Sequence, residues 1–431
     1  MPDSEALPRW RVLLLAVACG LAVGNVYYAH PLLDAIADSF GIAPASIGVI
    51  VTVTQVGYGL GLLLLVPLGD VLDRRRLIVT QLLLSVAALA VVGVAGSPAL
   101  LLLGMAAVGL LAVVAQVLVA YAATLSRPDE RGRVVGALTC GIVIGILLAR
   151  TFAGLVAELE SWRSVYLASA ALTLALSAAL LRGLPADHRR DARPAYRALL
   201  RSTLSLYLSS RTLRVRGTLA MLIFATFSVL WASLALELSE PPHSLSHAAI
   251  GAFGLAGAAG ALAAVRAGRH ADRGHGRRTT AVALVLMFAA WLPLALLEQS
   301  LLALVAGLLL LDFAVQAVHV TSQSILYAAD PEARSRLAGG YMVFYSVGSA
   351  TGAIASTAVH AWAGWTGVCA LGAAISAAAL AFWAATESAP RRGRPIGVFD
   401  PRTRRCCAAH KKRPSGRAHR TDRRSAGIRL Q

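Results

Sequence analysis

Apolar residues gather along this chain in blocks of roughly 20, the length at which a helix spans a hydrocarbon core about 30 Å thick. The first half carries such blocks at residues 12–28, 47–67, 77–95, 100–125, 134–157 and 164–181. The second half carries them at 218–237, 248–265, 279–297, 301–327, 337–359 and 366–386. This pattern predicts an all-α membrane protein of about twelve transmembrane helices, arranged as two pseudo-symmetric six-helix bundles. The polar stretches between blocks are short except at 182–217, where "LPADHRRDARP" reads as loop and "YRALLRSTLSLYLSSRTL" as a surface amphipathic helix. Beyond residue 387 the apolar periodicity stops. The expected organisation is therefore a bundle at 1–181, a cytoplasmic central loop at 182–217, a second bundle at 218–387 and a basic, disordered cytoplasmic tail at 388–431.

The two sets of six are related in sequence. "SRPDERGRVVG" from Ser126 aligns with "DPEARSRLAGG" from Asp330 at an offset that pairs Pro128 with Pro331, Arg131 with Arg334, Arg133 with Arg336 and Gly136 with Gly339. The same register pairs Gly145 with Gly348 and Trp162 with Trp365 across a whole apolar block. Six identities at one constant offset point to internal duplication.

Composition agrees with a bilayer rather than water as the solvent: 57% of residues are hydrophobic, 14% are charged, and the mean hydropathy is +0.67. A net charge of +18 would fit a nucleic-acid partner only if it formed a face, and it does not. The tail from Ser388 onward holds 14 Lys and Arg against 2 acidic residues. The remaining excess lies in alternate short loops, around Arg74 to Arg76, Arg127 to Arg133, Arg266 to Arg278 and Arg334 to Arg336. Positive charge of this kind is retained in the cytoplasm, so both termini are expected there, in a multi-pass protein of the inner membrane. The opposite loops carry Arg163 and otherwise Asp34, Asp38, Glu158, Glu160 and Glu240. Five cysteines are too few and too scattered for a disulfide framework, and Cys406 with Cys407 lacks the further ligands of a metal site. Neither a metal nor another cofactor is expected.

The loop after the second block reads "GDVLDRRR" and that after the eighth reads "GRHADRGHGRR". With these residues the chain resembles the major facilitator superfamily. The second loop carries that family's signature in full, as Gly268, Asp272, Arg273, Gly276, Arg277 and Arg278, while the first keeps Gly69, Asp73 and Arg74 and lacks the later glycine. "NVYYAHPLLDAIADSFGI", "GILLARTFAGL" and "WRSVYL" look like a bacterial branch of drug and small-solute exporters, in which a Gln commonly stands where this chain has His30. The resemblance implies that Asp73, Arg74, Asp272 and Arg273, with Arg131, Arg133, Arg334 and Arg336, form a gate that shuts the cytoplasmic ends of the two halves. The same charges also orient the helices, which leaves a purely topological role open.

Inside the blocks, glycines at helical spacing (Gly141 and Gly145; Gly251, Gly254, Gly257 and Gly260; Gly348 and Gly352) let helices approach closely. Two ionisable residues stand within apolar blocks, where a charge must face a cavity or a partner. Asp312 lies near the middle of the tenth block and is the candidate to bind and release a proton; Arg150 lies in the outer half of the fifth and suits either a structural or a substrate role. Polar and aromatic positions that could line a central cavity are Asn25, Tyr28, Gln55, Tyr58 and Gln116 in the first half. Phe227, Trp231, Gln316, His319, Tyr341 and Tyr345 are their counterparts in the second. Such a lining suits an amphipathic organic solute, although each of these side chains could equally serve helix packing.

Together these features predict a secondary active transporter and not an enzyme. The two halves would rock about a central site, and the expected work is proton-coupled efflux of a small organic solute or drug. Proton-coupled uptake of a metabolite is the alternative, and a non-transporting receptor or scaffold is the reading from another class. Expected partners are the solute, protons and the lipid bilayer, with no nucleic acid, and the chain is expected to act as a monomer.

Overall fold

The computed structural model describes residues 7–127, 130–185, 195–270, 275–329 and 334–388. Asp272, Arg273, part of the central loop and all but the start of the expected tail lie outside the described residues. The described chain is almost wholly helical: α1 (Arg9–Gly24), α2 (Leu33–Phe40), α3 (Val49–Leu64), α4 (Leu68–Val71), α5 (Arg74–Gly93), α6 (Pro98–Ala112), α7 (Val114–Leu125), α8 (Arg131–Leu159), α9 (Trp162–Gly183), α10 (Tyr196–Ser209), α11 (Arg211–Ser239), α12 (His247–His270), α13 (Gly276–Ala289), α14 (Trp291–Leu294), α15 (Leu301–Ala329) and α16 (Arg334–Ser388). Among the described residues nine helices are long and apolar enough to cross a membrane. One of them, Arg336–Glu387, has 52 residues. At 1.5 Å per residue it would run more than twice the hydrocarbon thickness, and it is interrupted at Gly364 by a φ of 59° and ψ of −160°, so it divides into two segments of span length.

Local chemistry sets the ends. Asp73 caps α5, its carboxylate accepting the Arg76 backbone N–H at 2.7 Å, and Ser97 caps α6 ahead of Pro98 in the first turn. Ser210 caps α11, which therefore begins at Arg211, ahead of the expected residue 218. The first apolar block is helical only to Gly24. Beyond it the backbone tightens into i to i+3 hydrogen bonds, Val26 to Val23 and Tyr27 to Gly24, and reaches a short 3₁₀ turn at His30–Leu32, where Pro31 has no N–H to continue a helix.

Helices α1, α3, α5, α6, α8 and α9 pack together, as do α11, α12, α13 and α15, and the two groups meet along α8 and α12. Large apolar side chains such as Leu13, Leu103, Leu302 and Trp362 point outward and are exposed, as a surface bathed in lipid requires. The duplicated glycines do equivalent work. A Cβ on Gly145 would lie 2.2 Å from the Gly20 carbonyl oxygen of α1, and a Cβ on Gly348 would lie 2.0 Å from the Met221 carbonyl oxygen of α11. Each half thus presses a glycine against the backbone of its own first long helix. Trp162 and Trp365 are both buried and both donate from the indole, to Ser39 Oγ and to the Leu294 carbonyl, each at 2.8 Å.

Candidate functional site

Between the halves lies a cavity of about 280 Å³. The first half contributes Val26 and Tyr27, Tyr58 of α3, Gln116 of α7, and Thr139 and Leu147 of α8. The second contributes Phe224 and Phe227 of α11, Gln316, His319 and Gln323 of α15, and Met342 and Tyr345 of α16. A further pocket of about 360 Å³ shares Gln116, Val135, Ala338 and Met342 and continues to Gly69, Asp70 and Arg74. The hollow therefore extends from mid-depth toward the end that carries the basic loops.

Aromatic rings and uncharged polar groups make its walls. The Tyr27 and Tyr345 hydroxyls hydrogen-bond across the two halves, and Gln55 and Ser349 reach the same Tyr345 hydroxyl. The Tyr58 and Tyr345 rings meet edge to face at 6.1 Å, and Gln116 reaches the Tyr58 hydroxyl. Phe224 sets its ring against Tyr345 at 4.2 Å and against His319 at 5.1 Å. His319 Nδ1 is 3.0 Å from the hydroxyl of the buried Tyr341.

The two intramembrane charges come together behind this wall. Arg150 is 1% exposed, and its guanidinium carbon lies 3.7 Å from the centre of the Trp231 ring, 5.3 Å from that of Phe227 and 5.5 Å from that of Tyr27. The same Trp231 indole N–H donates to Asp312 Oδ1 at 3.4 Å. One indole thus links a cation on α8 to a carboxylate on α15 and so spans the interface between the halves. Asp312 is 3% exposed, and its Oδ2 occupies the space a Cβ on Gly257 would need, 1.9 Å away. That glycine in α12 is what admits the carboxylate.

Of the expected cavity residues, Tyr58, Gln116, Phe227, Gln316, His319 and Tyr345 line it, Gln55, Tyr341, Arg150 and Trp231 are not in its lining, and Asn25 and Tyr28 point elsewhere. Asn25 Oδ1 accepts from Ser169 Oγ of α9 at 2.6 Å, and the Tyr28 ring packs against Phe152 and Tyr166. Both precede or follow Tyr27 around the turn that ends α1, so when Tyr27 faces the cavity they face the interior of their own half. The residues of the first half expected to form a gate make their bonds within that half. Asp73 caps α5, while Arg74 pairs with Asp70 at 2.8 Å and donates to the Gly69 and Ala120 carbonyls. Arg131 donates to the Ala123 carbonyl at 2.9 Å and Arg133 pairs with Glu130 at 2.8 Å. Gly268 lies within α12, Arg334 opens α16, and Arg336 is exposed.

Residues 13–264 and 217–422 each match the Major Facilitator Superfamily, so the two halves separately carry the family pattern. The chain belongs to this superfamily. A protein of Escherichia coli O157:H7 described as the uncharacterized transporter YgaY is 46% identical over 382 residues, covering 89% of this chain and 96% of that protein. The probable transporter SCO4007 of Streptomyces coelicolor is 32% identical over 391 residues, 90% of each chain. Among solved structures, a bacterial homolog of the human lysosomal transporter Spinster, in an inward-facing and occupied conformation, superposes with a TM-score of 0.73 at 14% identity, covering 88% of this chain and 96% of that one. The nucleoside transporter NupG superposes with a TM-score of 0.72 at 14% identity, covering 86% and 99%. This major facilitator chain is a membrane transporter and not an enzyme.

A major facilitator transporter exposes its site to one side at a time, and here the end opposite the basic loops is shut. There α8 and α12 touch, Thr151 Oγ1 donating to the Gly251 carbonyl at 3.1 Å, and Gly48 N–H donates to Thr357 Oγ1 at 3.2 Å. Outside the apolar spans, His247 Nε2 lies 3.3 Å from Asp34 Oδ2 of the other half, and the Ala248 N–H reaches Glu158 at 3.4 Å. The facing Asp34 carboxylate holds His247 above its ordinary imidazole value, against partial burial that lowers it, and Glu158 adds to the rise. Closure at this end is therefore fully supported below about pH 6.5 and weakens as pH climbs through the raised value. For a partly exposed pair the effect is modest, up to about fivefold. Ala235, buried at this end, provides the probe: labelling of Ala235→Cys by a water-soluble thiol reagent should speed up between about pH 6 and about pH 8, and His247→Gln should flatten the profile. A flat profile in the parent would refute the latch.

Several of these groups escape a reading of the sequence. Asp70 is a plain acidic residue four positions before Arg74, and only helical spacing hints at the pair. Tyr27 hides beside Tyr28. His247 and Asp34 each stand in the first turn of a helix, far apart in sequence, with no signal to join them.

Proposed function

We propose that this chain is a proton-coupled secondary transporter that carries a small organic solute through the cavity between its halves, with Asp312 as the proton carrier. The observation that supports this reading is the placement of one buried carboxylate at mid-span, linked through Trp231 to a cation of the opposite half. A proton on Asp312 changes the charge that the two halves share, and so couples protonation to their rocking. The cavity's aromatic and uncharged polar walls suit an amphipathic organic molecule. By the positive-inside effect the basic end faces the cytoplasm of an inner membrane with both termini on that side, and the cavity is then open to cytoplasmic solute. In the opposite state the gate charges on the loops of the two halves, Asp73 and Asp272 with their neighbouring arginines, would shut this end. The transporter works as a monomer in this reading, since one chain builds the whole site.

Direction follows from how solute and proton share the site. A solute that displaces the proton from Asp312 leaves the cell by antiport, the efflux that likeness to exporters suggests. A solute that brings the proton with it enters by symport, and the link between Arg150 and Asp312 through Trp231 favours that second reading. The test is made in vesicles reconstituted with the intact protein and loaded with a pH dye. Each solute of a chemically varied panel is added outside, at equal pH on the two sides. At least one solute is expected to move protons, inward with the solute for symport or outward for antiport. Solute flux with no proton movement across the panel would refute coupling, and binding without flux would favour a receptor or scaffold.

A further inference from the structure

The proton reading leaves the chemical class of the solute open, and Arg150 bears on it. Its Nε and Nη2 are buried and have no hydrogen-bond partner. The three aromatic rings around the guanidinium supply electrostatic stabilisation through their faces, but ring faces do not fill the in-plane positions of the N–H groups. Among the described residues no direct ion pair joins Arg150 to Asp312, whose nearest link to it is the indole of Trp231. Buried donors left open in this way are costly, and a guanidinium fork is shaped to accept a carboxylate or another planar acid. Asp312 offers no comparable opening. One oxygen accepts the indole N–H and the other packs against Gly257.

The route to Arg150 lies through the cavity. Tyr27 and Phe227 line the cavity and also face the guanidinium, so a single aromatic layer separates the two. Among the described residues no acidic side chain lines the mid-depth cavity to hold a cationic solute, and Asp70, farther out, is paired with Arg74. We propose that the solute is an organic anion with an apolar or aromatic body, that its acidic group passes between Tyr27 and Phe227 to bind Arg150, and that it crosses together with a proton on Asp312.

Charge balance gives the second part. The empty site holds one buried cation and one buried carboxylate, with His30 beside Arg150 and Trp231 held uncharged by burial and by that cation, and is neutral. An added anion would leave a net negative charge in a low-dielectric interior, which one proton on Asp312 removes. The site is thus neutral when empty and neutral when it holds both anion and proton. Either partner alone leaves it charged, which disfavours crossing. The halves therefore rock empty or doubly loaded, which is the cycle of a symporter. This argument rests on the proton role of Asp312 proposed above and fixes the solute's charge and its direction relative to the proton.

The experiment uses the full chain in lipid nanodiscs with three probes of one shape and different charge: benzoate, benzamide and benzylamine. Benzoate is expected to bind at millimolar concentration or below, about tenfold or more tightly than the other two. In weakly buffered solution it should take up about one proton per molecule bound, and in Asp312→Asn none. Arg150→Gln alone leaves a buried carboxylate without its cation and can fail to fold. The double variant Arg150→Gln with Asp312→Asn keeps the site neutral, and should fold and lose benzoate binding. Equal binding of benzamide or benzylamine, no benzoate binding at millimolar concentration, or benzoate binding retained in the double variant would overturn the anion site. Benzoate bound through Arg150 without proton uptake would overturn the joint crossing and with it the role of Asp312. Protons moved by an amine or a neutral solute would leave that role standing and remove the anion proposal alone.

Discussion

Asp312→Asn is expected to abolish solute accumulation driven by a proton gradient while leaving solute exchange in place. The side chain is nearly isosteric, and its amide oxygen can still accept the Trp231 indole N–H that now reaches the carboxylate at 3.4 Å. The enclosure by Gly257, with a Cβ position only 1.9 Å from Asp312 Oδ2, makes the longer Glu a poor substitute, so Asn is the variant of choice. What disappears is the carboxylate on which the proposed proton would ride, while the Arg150 guanidinium is kept. Accumulation should fall to the level of passive equilibration, a complete loss of concentrative transport. Exchange of labelled for unlabelled solute should continue within about tenfold of the parent rate, because exchange does not require the carrier to change its charge. The measurement is the pair of assays on one preparation in reconstituted vesicles. A variant that still concentrates solute against its gradient would remove Asp312 from the coupling step.

The reasons why some of this was legible in the sequence and some was not are physical. A charge inside an apolar block is costly enough to be a signal on its own, so Asp312 and Arg150 stand out with no knowledge of their neighbours. Their meeting is invisible, because it depends on Trp231 from a third helix and on Gly257 from a fourth, each an ordinary residue within its own block. The blocks themselves are legible since the bilayer imposes a length, yet that rule locates apolar runs rather than backbone geometry. It gives no warning that the first run tightens after Gly24, although the gap it leaves between 359 and 366 does hold Gly364, where the 52-residue helical stretch divides.

Facing is the least legible property. Asn25, Tyr27 and Tyr28 are all polar enough to line a cavity, and composition cannot choose among them. The tight turns after α1 send Tyr27 to the cavity and its neighbours to α9. The charged loops have a related difficulty. Asp73 and Arg74 read as partners for the opposite half, but in this state each has a nearer use, as a helix cap and as a partner for Asp70. A gate that opens and closes has at least two sets of partners, and a sequence does not say which set is occupied.

The duplication gives two kinds of glycine pair at one sequence offset, and their difference makes a second large prediction. Gly145 and Gly348 touch backbone: an added Cβ would meet a carbonyl oxygen at 2.2 Å and 2.0 Å, with the carbonyl carbon or Cα of the facing helix close behind. Backbone cannot rotate away as a side chain can, so Leu at either position must push whole helices apart. Overpacking a core costs about 1 to 3 kcal/mol when side chains yield, and more when they cannot. Against a total stability of about 5 to 15 kcal/mol, that is enough to cost the fold. Gly136 and Gly339 belong to the same duplicated stretch, lie within α8 and α16, and have nothing within 4 Å of an added Cβ. There Ala is expected to be neutral or to stabilise by up to about 1 kcal/mol, since it restricts the unfolded chain. Gly145→Leu and Gly348→Leu should each yield aggregated rather than monodisperse protein on size exclusion, while Gly136→Ala and Gly339→Ala should match or exceed the parent midpoint of thermal unfolding. If Gly348→Leu kept the parent midpoint, the first segment of α16 could not lie against the α11 backbone, and the equivalence of the two halves at their closest contacts would fail with it.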